Sequence, residues 1–374
     1  MGTALVFAAL LTQASSWIGV DAPIPPRDGS ARSTACFVKT FVNPKAISKA
    51  AWVVSGLGAY EARINGRVPY GDVLEPGFTH LTKRRQAFVH DVTAYCNAAP
   101  GATNVLSAMV STGWWSDEIV DNPFGPKERP SAFRAELNLT YTDGTEETVP
   151  TDLSWKAVYG GPVVNATIYW GETYDARVSC DWQKTGAAEW PAARRVDAFR
   201  GEISDGAPAR VWPRRDLVLA PVDACVWRGV TGADDTRYGR VRVLRRYAAG
   251  EVMELAPGET LVVDFGQNAA GNPEFVAAAP EGTVLTGHPA EMLNDRMGEK
   301  SRRNDGPGGS AYIENYRLAR TTLTYIFGGR GTETYHPRHT FYGGRYFSFT
   351  ATAPVTRSTA PNPTAPSTSA APSV

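Results

Sequence analysis

The chain has 374 residues, and its 38 Lys+Arg are balanced by 38 Asp+Glu, so it carries no net charge. At roughly 100–200 residues per domain this length predicts two domains, with room for a third. No basic stretch is long enough to follow a phosphate backbone, which argues against nucleic acid as a partner. No apolar run approaches the ~20 residues of a membrane span.

Residues 1–16 (MGTALVFAALLTQASS) place an apolar run at 4–11 before the small residues Ala14, Ser15 and Ser16. That is the layout of a possible signal peptide cleaved before Trp17, although the first residues lack Lys or Arg. The other readings are a buried first strand or a start codon inside a longer gene. The expected location is secreted or extracellular, with cytoplasmic as the alternative. In an oxidising compartment Cys36, Cys96, Cys180 and Cys225 would suffice for two disulfides, whose pairing the sequence does not reveal. Their wide, irregular spacing argues against zinc, which favours close pairs of ligands. Asn138 and Asn165 begin glycosylation sequons.

Short β-rich runs follow: residues 49–55 (KAAWVVS), 59–64 (AYEARI), 86–92 (QAFVHDV), 104–110 (NVLSAMV) and 132–141 (AFRAELNLTY). Asn65-Gly66 and Asp143-Gly144 stand beside such runs and predict hairpin turns. A second β block starts after Pro208, with its clearest strands at 240–247 (RVRVLRRY), 260–265 (TLVVDF) and 321–327 (TTLTYIF). Helical periodicity with caps is scarce. The expected fold is all-β, with two or three antiparallel β-sandwich, jelly-roll-like domains. The boundaries fall at 17–190 for the first region, 191–207 for an extended linker and 208–353 for the second region. Residues 295–310 (DRMGEKSRRNDGPGGS) form a long polar loop, expected to be disordered, and 354–374 are a disordered tail rich in Pro, Ser, Thr and Ala.

An ordered series of motifs runs through both blocks. It comprises SGLGAYEARING (55–66), GDVLEPG (71–77), HDVT (90–93), GWW (113–115), SWK (154–156), YWGETYDAR (169–177), VDFGQN (263–268), PAEMLND (289–295) and GGRY (343–346). The series resembles the N-terminal β-domains of bacterial-type α-L-rhamnosidases, glycoside hydrolase family 78, from about Trp17 to Thr352. In that family a segment like Gly343–Tyr346 lies just before a large (α/α)6 barrel that carries the acidic catalytic residues. Here 28 residues follow Tyr346. That is too few for a dozen helices averaging ~11–12 residues. The resemblance therefore implies non-catalytic carbohydrate-binding or supporting β-domains, with no catalytic residue of their own. The alternatives are a fragment or truncated product of an active α-L-rhamnosidase that hydrolyses terminal α-L-rhamnose, and a structural surface protein without sugar affinity. Rhamnose-containing glycans or glycosides, and a missing or separate barrel, are the implied partners. The aromatic run Tyr335, Phe341, Tyr342, Tyr346, Phe347 and Phe349 is the candidate patch for docking the barrel.

Some family members carry a β-sandwich module, similar to residues 56–177, that binds L-rhamnose through calcium. The resemblance implies calcium as the only cofactor, with Asp72, Asp121, Asn122 and the Pro126 carbonyl as its hard oxygen ligands. Trp114 or Trp115, with Asp121 and Asn122, would face the sugar. Val73 offers no side-chain oxygen where binding members can have one. The competing reading makes Asp72 and residues 121–126 (DNPFGP) turn formers. Glu172, Asp175, Asp264, Glu291 and Asp295 are the carboxyls that lie in motif segments; the expected role of Asp264, Gln267 and Asn268 is to bond backbone at a strand end.

Overall fold

The computed structural model describes residues 11–26, 29–116, 129–206, 210–232, 238–295, 306–317 and 319–356. They form an all-β protein whose one α-helical turn is Trp182–Thr185. No helix among them is long and apolar enough to cross a membrane.

Two sheets face each other in the first region. The larger has its strands in the order Arg194–Arg195, Ile18–Gly19, Ala132–Tyr141, Ile47–Leu57, Arg84–Asp91 and Glu202–Asp205, with Glu146–Pro150 also paired to Ala132–Tyr141. The smaller runs Ala59–Ile64, Thr103–Ser111, Ala35–Val42, Lys156–Tyr159. Side chains alternate across a strand. Trp52 and Val54, then Phe133, Ala135, Leu137 and Leu139, therefore meet Leu106, Ala108 and Val110 in one buried core. The opposite face of the small sheet, through Cys36, Val38, Val105 and Met109, is covered by Val163, Ala166 and Trp182. Coverage on both sides explains why Ala35–Val38 is a continuous apolar run rather than an alternating one.

Two short antiparallel pairs, Phe275–Ala277 with Glu333–Tyr335 and Met292–Leu293 with Ala311–Tyr312, accompany the main sheet of the second region, which has eight strands. Its order is Val163–Thr167, Gly171–Asp175, Thr322–Ile326, Val284–Ala290, Tyr342–Ala351, Thr260–Gly271, Asp223–Thr231, Arg240–Ala248. All pairings are antiparallel except Gly171–Asp175 with Thr322–Ile326.

The chain interleaves the two regions where a linker was expected. Val163–Thr167 and Gly171–Asp175 leave the first region to build one edge of the second sheet. The stretch read as a linker returns: Arg194–Arg195 pairs with Ile18–Gly19, and Glu202–Asp205 adds in parallel to Arg84–Asp91. Its Ala, Arg and Pro content concealed these short edge strands, which pair through backbone and need little apolar surface. Phe199 and Val196 still anchor the segment against Trp17 and Leu57.

Both hairpin signals mark turns. Gly144 (φ 82°) turns Ala132–Tyr141 into Glu146–Pro150. Asn65 and Gly66, at φ 50° and 77°, turn the chain after Ala59–Ile64, but into a loop rather than a second strand. All four cysteines are free, so the two disulfides that an oxidising compartment would permit are not formed here, and burial pushes the Cys96 thiol up to about 11. At the other end, Leu11 packs on Val53 and Ala87. The Thr12 amide, the Thr12 hydroxyl and the Ser15 hydroxyl all donate to the buried Glu136 carboxylate, at 2.7, 2.9 and 2.7 Å. Most of the polar loop (296–305) and the tail from 357 lie outside the described residues.

The expected docking patch of aromatics is overturned. Tyr335, Tyr342, Phe347 and Phe349 are buried in the core of the second sheet. Only Phe341 is exposed, and Tyr346 is half-buried. The strand Tyr342–Ala351 sits centrally between Val284–Ala290 and Thr260–Gly271, so its aromatic side chains have partners within the sheet's own core.

Candidate functional site

The loop that follows Asn65-Gly66 carries GDVLEPG and folds back on the edge of the small sheet, where Tyr60 donates its amide to the Glu75 carbonyl at 2.9 Å. Leu74 and Gly77 take left-handed conformations (φ 60° and 79°) that make the reversal. Glu75 becomes the centre of a buried cluster. Its Oε2 accepts from the Tyr60 hydroxyl at 2.7 Å and lies 3.3 Å from His90 Nε2. The Tyr70 ring stacks on His90 with centroids 4.2 Å apart, and its hydroxyl accepts the Ala62 amide at 2.7 Å. Burial, and then the Glu75 charge, hold both phenols well above their usual range. Sequence reasoning passed over Glu75. The available signal was a carboxyl three residues after Asp72 in the same turn.

Asp72 reaches this cluster through Arg210, whose Nη1 donates to Asp72 Oδ2 at 2.8 Å and lies 3.8 Å from Glu75 Oε1. The same guanidinium covers the Phe88 ring at 4.7 Å. An arginine therefore occupies one oxygen of Asp72 and would compete with a cation for that carboxylate. The other expected oxygens, Asp121, Asn122 and Pro126, lie outside the described residues. No metal-ligand cluster occurs among the described ones. The two tryptophans part company. Trp114 is half-buried and meets the edge of Phe78, 65% exposed, at 6.3 Å. Trp115 is 1% exposed, donates its indole N–H to the Pro130 carbonyl at 3.0 Å, and so has no face free for a sugar.

The remaining motifs converge on the junction between the regions. Glu172, from YWGETYDAR, is buried and accepts from the Tyr335 hydroxyl at 2.5 Å and the amides of Arg338 and His339 at 3.2 and 2.8 Å. From that loop, Arg338 pairs with buried Glu61 of the first region. His339 Nδ1 lies 3.1 Å from the Ser111 hydroxyl, and Thr340 donates to the Thr167 carbonyl at 2.9 Å. Burial opposes ionisation of Glu61, but Arg338 and Arg63 outweigh it and hold the carboxyl below its usual range. In VDFGQN the register slips between Asp264 and Ala269, and Gly266 (φ 75°) donates its amide to Asp264 Oδ1 at 2.7 Å. The bulge aims both Asp264 oxygens at Arg345 of GGRY, 2.8 Å on each.

Residues 45–211 match the alpha-L-rhamnosidase N-terminal domain, and residues 239–362 match the bacterial alpha-L-rhamnosidase concanavalin-like domain. The chain belongs to the bacterial α-L-rhamnosidases of glycoside hydrolase family 78. It is 35% identical to the alpha-L-rhamnosidase of Streptomyces avermitilis over 82% of its own length and 26% of that protein. Superposed on the crystal structure of a Streptomyces avermitilis α-L-rhamnosidase complexed with L-rhamnose, it covers 87% of itself and 28% of that chain, with 30% identity and a TM-score of 0.61. The native enzyme of Aspergillus terreus shares the fold, with a TM-score of 0.67 at 21% identity over 92% of this chain and 36% of that one. The chain thus spans about a quarter to a third of the length of these relatives.

Within these rhamnosidase domains the motif carboxyls can be judged as glycosidase catalysts. Hydrolysis by paired carboxyls needs one that is protonated near neutrality and another free to act as base or nucleophile. The Arg345 fork holds Asp264 below its usual range, so it stays ionised. Asp175 is opposed by burial but held low by bonds from Arg177 (2.9 Å) and Arg32 (2.6 Å). Glu172 is taken up by a hydroxyl and two amides. Glu291 is exposed and accepts from Asn315 at 2.6 Å, and Asp295 is exposed. Gln267 and Asn268 are exposed as well, so backbone bonding at this bulge is carried by Asp264.

Proposed function

We propose that this chain is a non-catalytic β-platform of an α-L-rhamnosidase, and that its ligand class is rhamnose-containing glycans. The observation that carries this reading is the commitment of the motif carboxyls. Glu172, Asp175 and Asp264 each serve an arginine or a set of buried donors. Such groups fix geometry and are poor proton donors. The acids that cleave the glycosidic bond would then be carried elsewhere, in the part of the relatives' length that this chain does not span. The test is release of the aryl group from an aryl α-L-rhamnoside by the purified chain. No turnover above a buffer blank is expected. Turnover that disappears in a folded Asp264→Ala or Glu291→Ala variant overturns the proposal.

Sugar contact is assigned to exposed Phe78 and half-buried Trp114 beside GDVLEPG, because aromatic faces complement the apolar faces of sugar rings. Calorimetry with L-rhamnose should give binding that Phe78→Ala weakens. With Arg210 on Asp72, a chelator should leave it unchanged. Absence of any heat with L-rhamnose would favour a purely structural role.

A further inference from the structure

The main sheet of the second region has two faces. Leu261, Leu285, Leu323, Tyr325, Phe347 and Phe349 lie on the one that makes the core. Alternation puts their neighbours in sequence on the other. There the register assembles a row across six strands. Trp227 stands opposite Thr260, and the pairing of Leu261 with Phe349 sets Thr260 across from Thr350. Thr350 pairs with Thr286, Thr286 with Thr324, and Thr324 with Thr173.

Thr350 is exposed and the other four threonines are half-buried. Among the described residues none of the five hydroxyls has a hydrogen-bond partner, and none is closed off from solvent. Strand propensity does not demand this choice, because Val and Ile favour strands as well. Elsewhere in the same sheet the exposed edge strand presents Arg240, Arg242 and Arg246 instead.

Such a row can hold a chain of sugar units. A threonine hydroxyl is both donor and acceptor, as a sugar hydroxyl is. Neighbouring strands lie ~4.8 Å apart, close to the advance of one pyranose along an extended glycan. Trp227 is half-buried and stands outside the core, which leaves part of its ring for stacking at the end of the row. Val284 and Ile326, the next cross-strand pair, are half-buried and give the row an apolar flank. No charged side chain stands in the row, which favours a neutral ligand. Beside Trp227 the same face continues into a cleft of about 430 Å³, lined in part by Cys225, Val262 and Tyr346. Its volume falls within that of small-molecule sites, ~300–1,000 Å³, and it gives room for the end of a chain.

We propose that this row binds a neutral, extended glycan, a β-1,4-linked chain of pyranose units laid across the strands with one unit on Trp227. The site lies in the second region, apart from Phe78 and Trp114, and does not rest on the rhamnose reading.

The test is calorimetry of the full chain with xylohexaose and cellohexaose. Maltohexaose, whose α-1,4 links coil it, and charged hexagalacturonate are the controls at matched concentration. At least one β-1,4-linked hexamer should bind, more tightly than either control. Thr286→Val with Thr324→Val keeps side-chain shape and strand propensity, so the melting temperature should stay near the parent's while binding weakens roughly tenfold. Trp227→Ala should remove the measurable heat; if that variant does not fold, the double threonine variant carries the test. Phe78→Ala should leave this binding unchanged, which separates it from the rhamnose site. No heat with either β-1,4-linked hexamer, a control that binds as tightly, a double threonine variant that binds as the parent does, or loss of binding in Phe78→Ala overturns the proposal.

Discussion

The cores of the two regions are built from different chemistry. In the first, Phe133 packs against Phe37, Trp52, Tyr60 and Trp155 with ring centroids 5.8–6.4 Å apart, among Leu, Val and Ala. In the second, the centre is a tyrosine cluster. Tyr174 stacks on Tyr325 at 5.7 Å, the Tyr325 hydroxyl donates to Glu333 at 2.8 Å, and that of Tyr335 donates to Glu172 at 2.5 Å. Non-directional burial stabilises the first core. The second depends on directional bonds whose anchor, Glu172, arrives on a strand lent from the first region's stretch of chain. One outer strand of the second sheet is also thinly covered, since Arg240–Ala248 is mostly exposed, whereas Val163–Thr167 at the other edge is buried. The first region can therefore stand as the template on which the second is completed.

The harshest test of that dependence is Phe133→Ala. It removes the ring that touches four other aromatic side chains, and a Phe→Ala change in a core costs ~3–5 kcal/mol. Denaturant unfolding followed by near-UV dichroism should show both regions destabilised together. If the tyrosine signal of the second region survives unfolding of the first, the template idea is broken. Glu172→Ala should have the next largest effect, on the order of 3 kcal/mol, because it strands a buried hydroxyl and two amides without an acceptor. Here the first region should hold and the second should loosen, splitting one calorimetric transition into two. A single transition at the parent's melting temperature would show that the junction does not depend on this carboxylate.

The sequence was most legible where burial is periodic. The strands around Trp52, Leu106 and Phe133 follow from alternation, and Asp143-Gly144 makes its hairpin. Legibility failed where pairing depends on backbone alone. Residues 194–195 and 202–205 contribute almost nothing apolar, so their edge strands passed for a linker. It failed again for Phe347 and Phe349, because an aromatic residue on a central strand and one on an exposed face look alike without the sheet order. At the candidate site Asp72 was visible as a turn carboxyl. Its partner Arg210 lies 138 residues away in sequence, and no local pattern points to such a pair. Glu172 was visible as a motif carboxyl, but its partners Tyr335 and His339, 163 and 167 residues away, were hidden for the same reason.

Acid should act on the junction before it acts on the first core. Glu61 is held below its usual range by Arg338 and Arg63, against the effect of burial. A carboxyl with a depressed folded value contributes stability that is fully present above its unfolded value, ~4.3, and is lost as pH falls through the lower folded value. Asp264, bonded by Arg345, has the same sign. An acid titration of the tyrosine near-UV signal should show loss of second-region packing in that window. Glu61→Gln should be less stable at neutral pH and flatter toward acid. An unchanged titration would remove Glu61 from the account.

The smallest effect is expected at the open edge of the second sheet. Arg240–Ala248 is the last strand in its order, and Arg240, Arg242, Leu244, Arg246 and Ala248 are all exposed along alternate positions. An edge strand offers unpaired backbone to any other chain, and charged side chains are one way to keep it from being extended. Beyond this strand, Gly308 accepts the Val241 amide at 3.1 Å and donates to the Gly239 carbonyl at 2.9 Å, two bonds at one end that leave most of the edge uncovered among the described residues. If the arginines act there by repulsion rather than by packing, Leu244→Lys should change stability by no more than ~0.5 kcal/mol, as for a surface position. Arg242→Val with Arg246→Val should leave the melting temperature near the parent's yet raise light scattering at high protein concentration. A Leu244→Lys penalty well above that value would mean that this face is packed in solution, and the contrast between a covered first region and an open second one would have to be withdrawn.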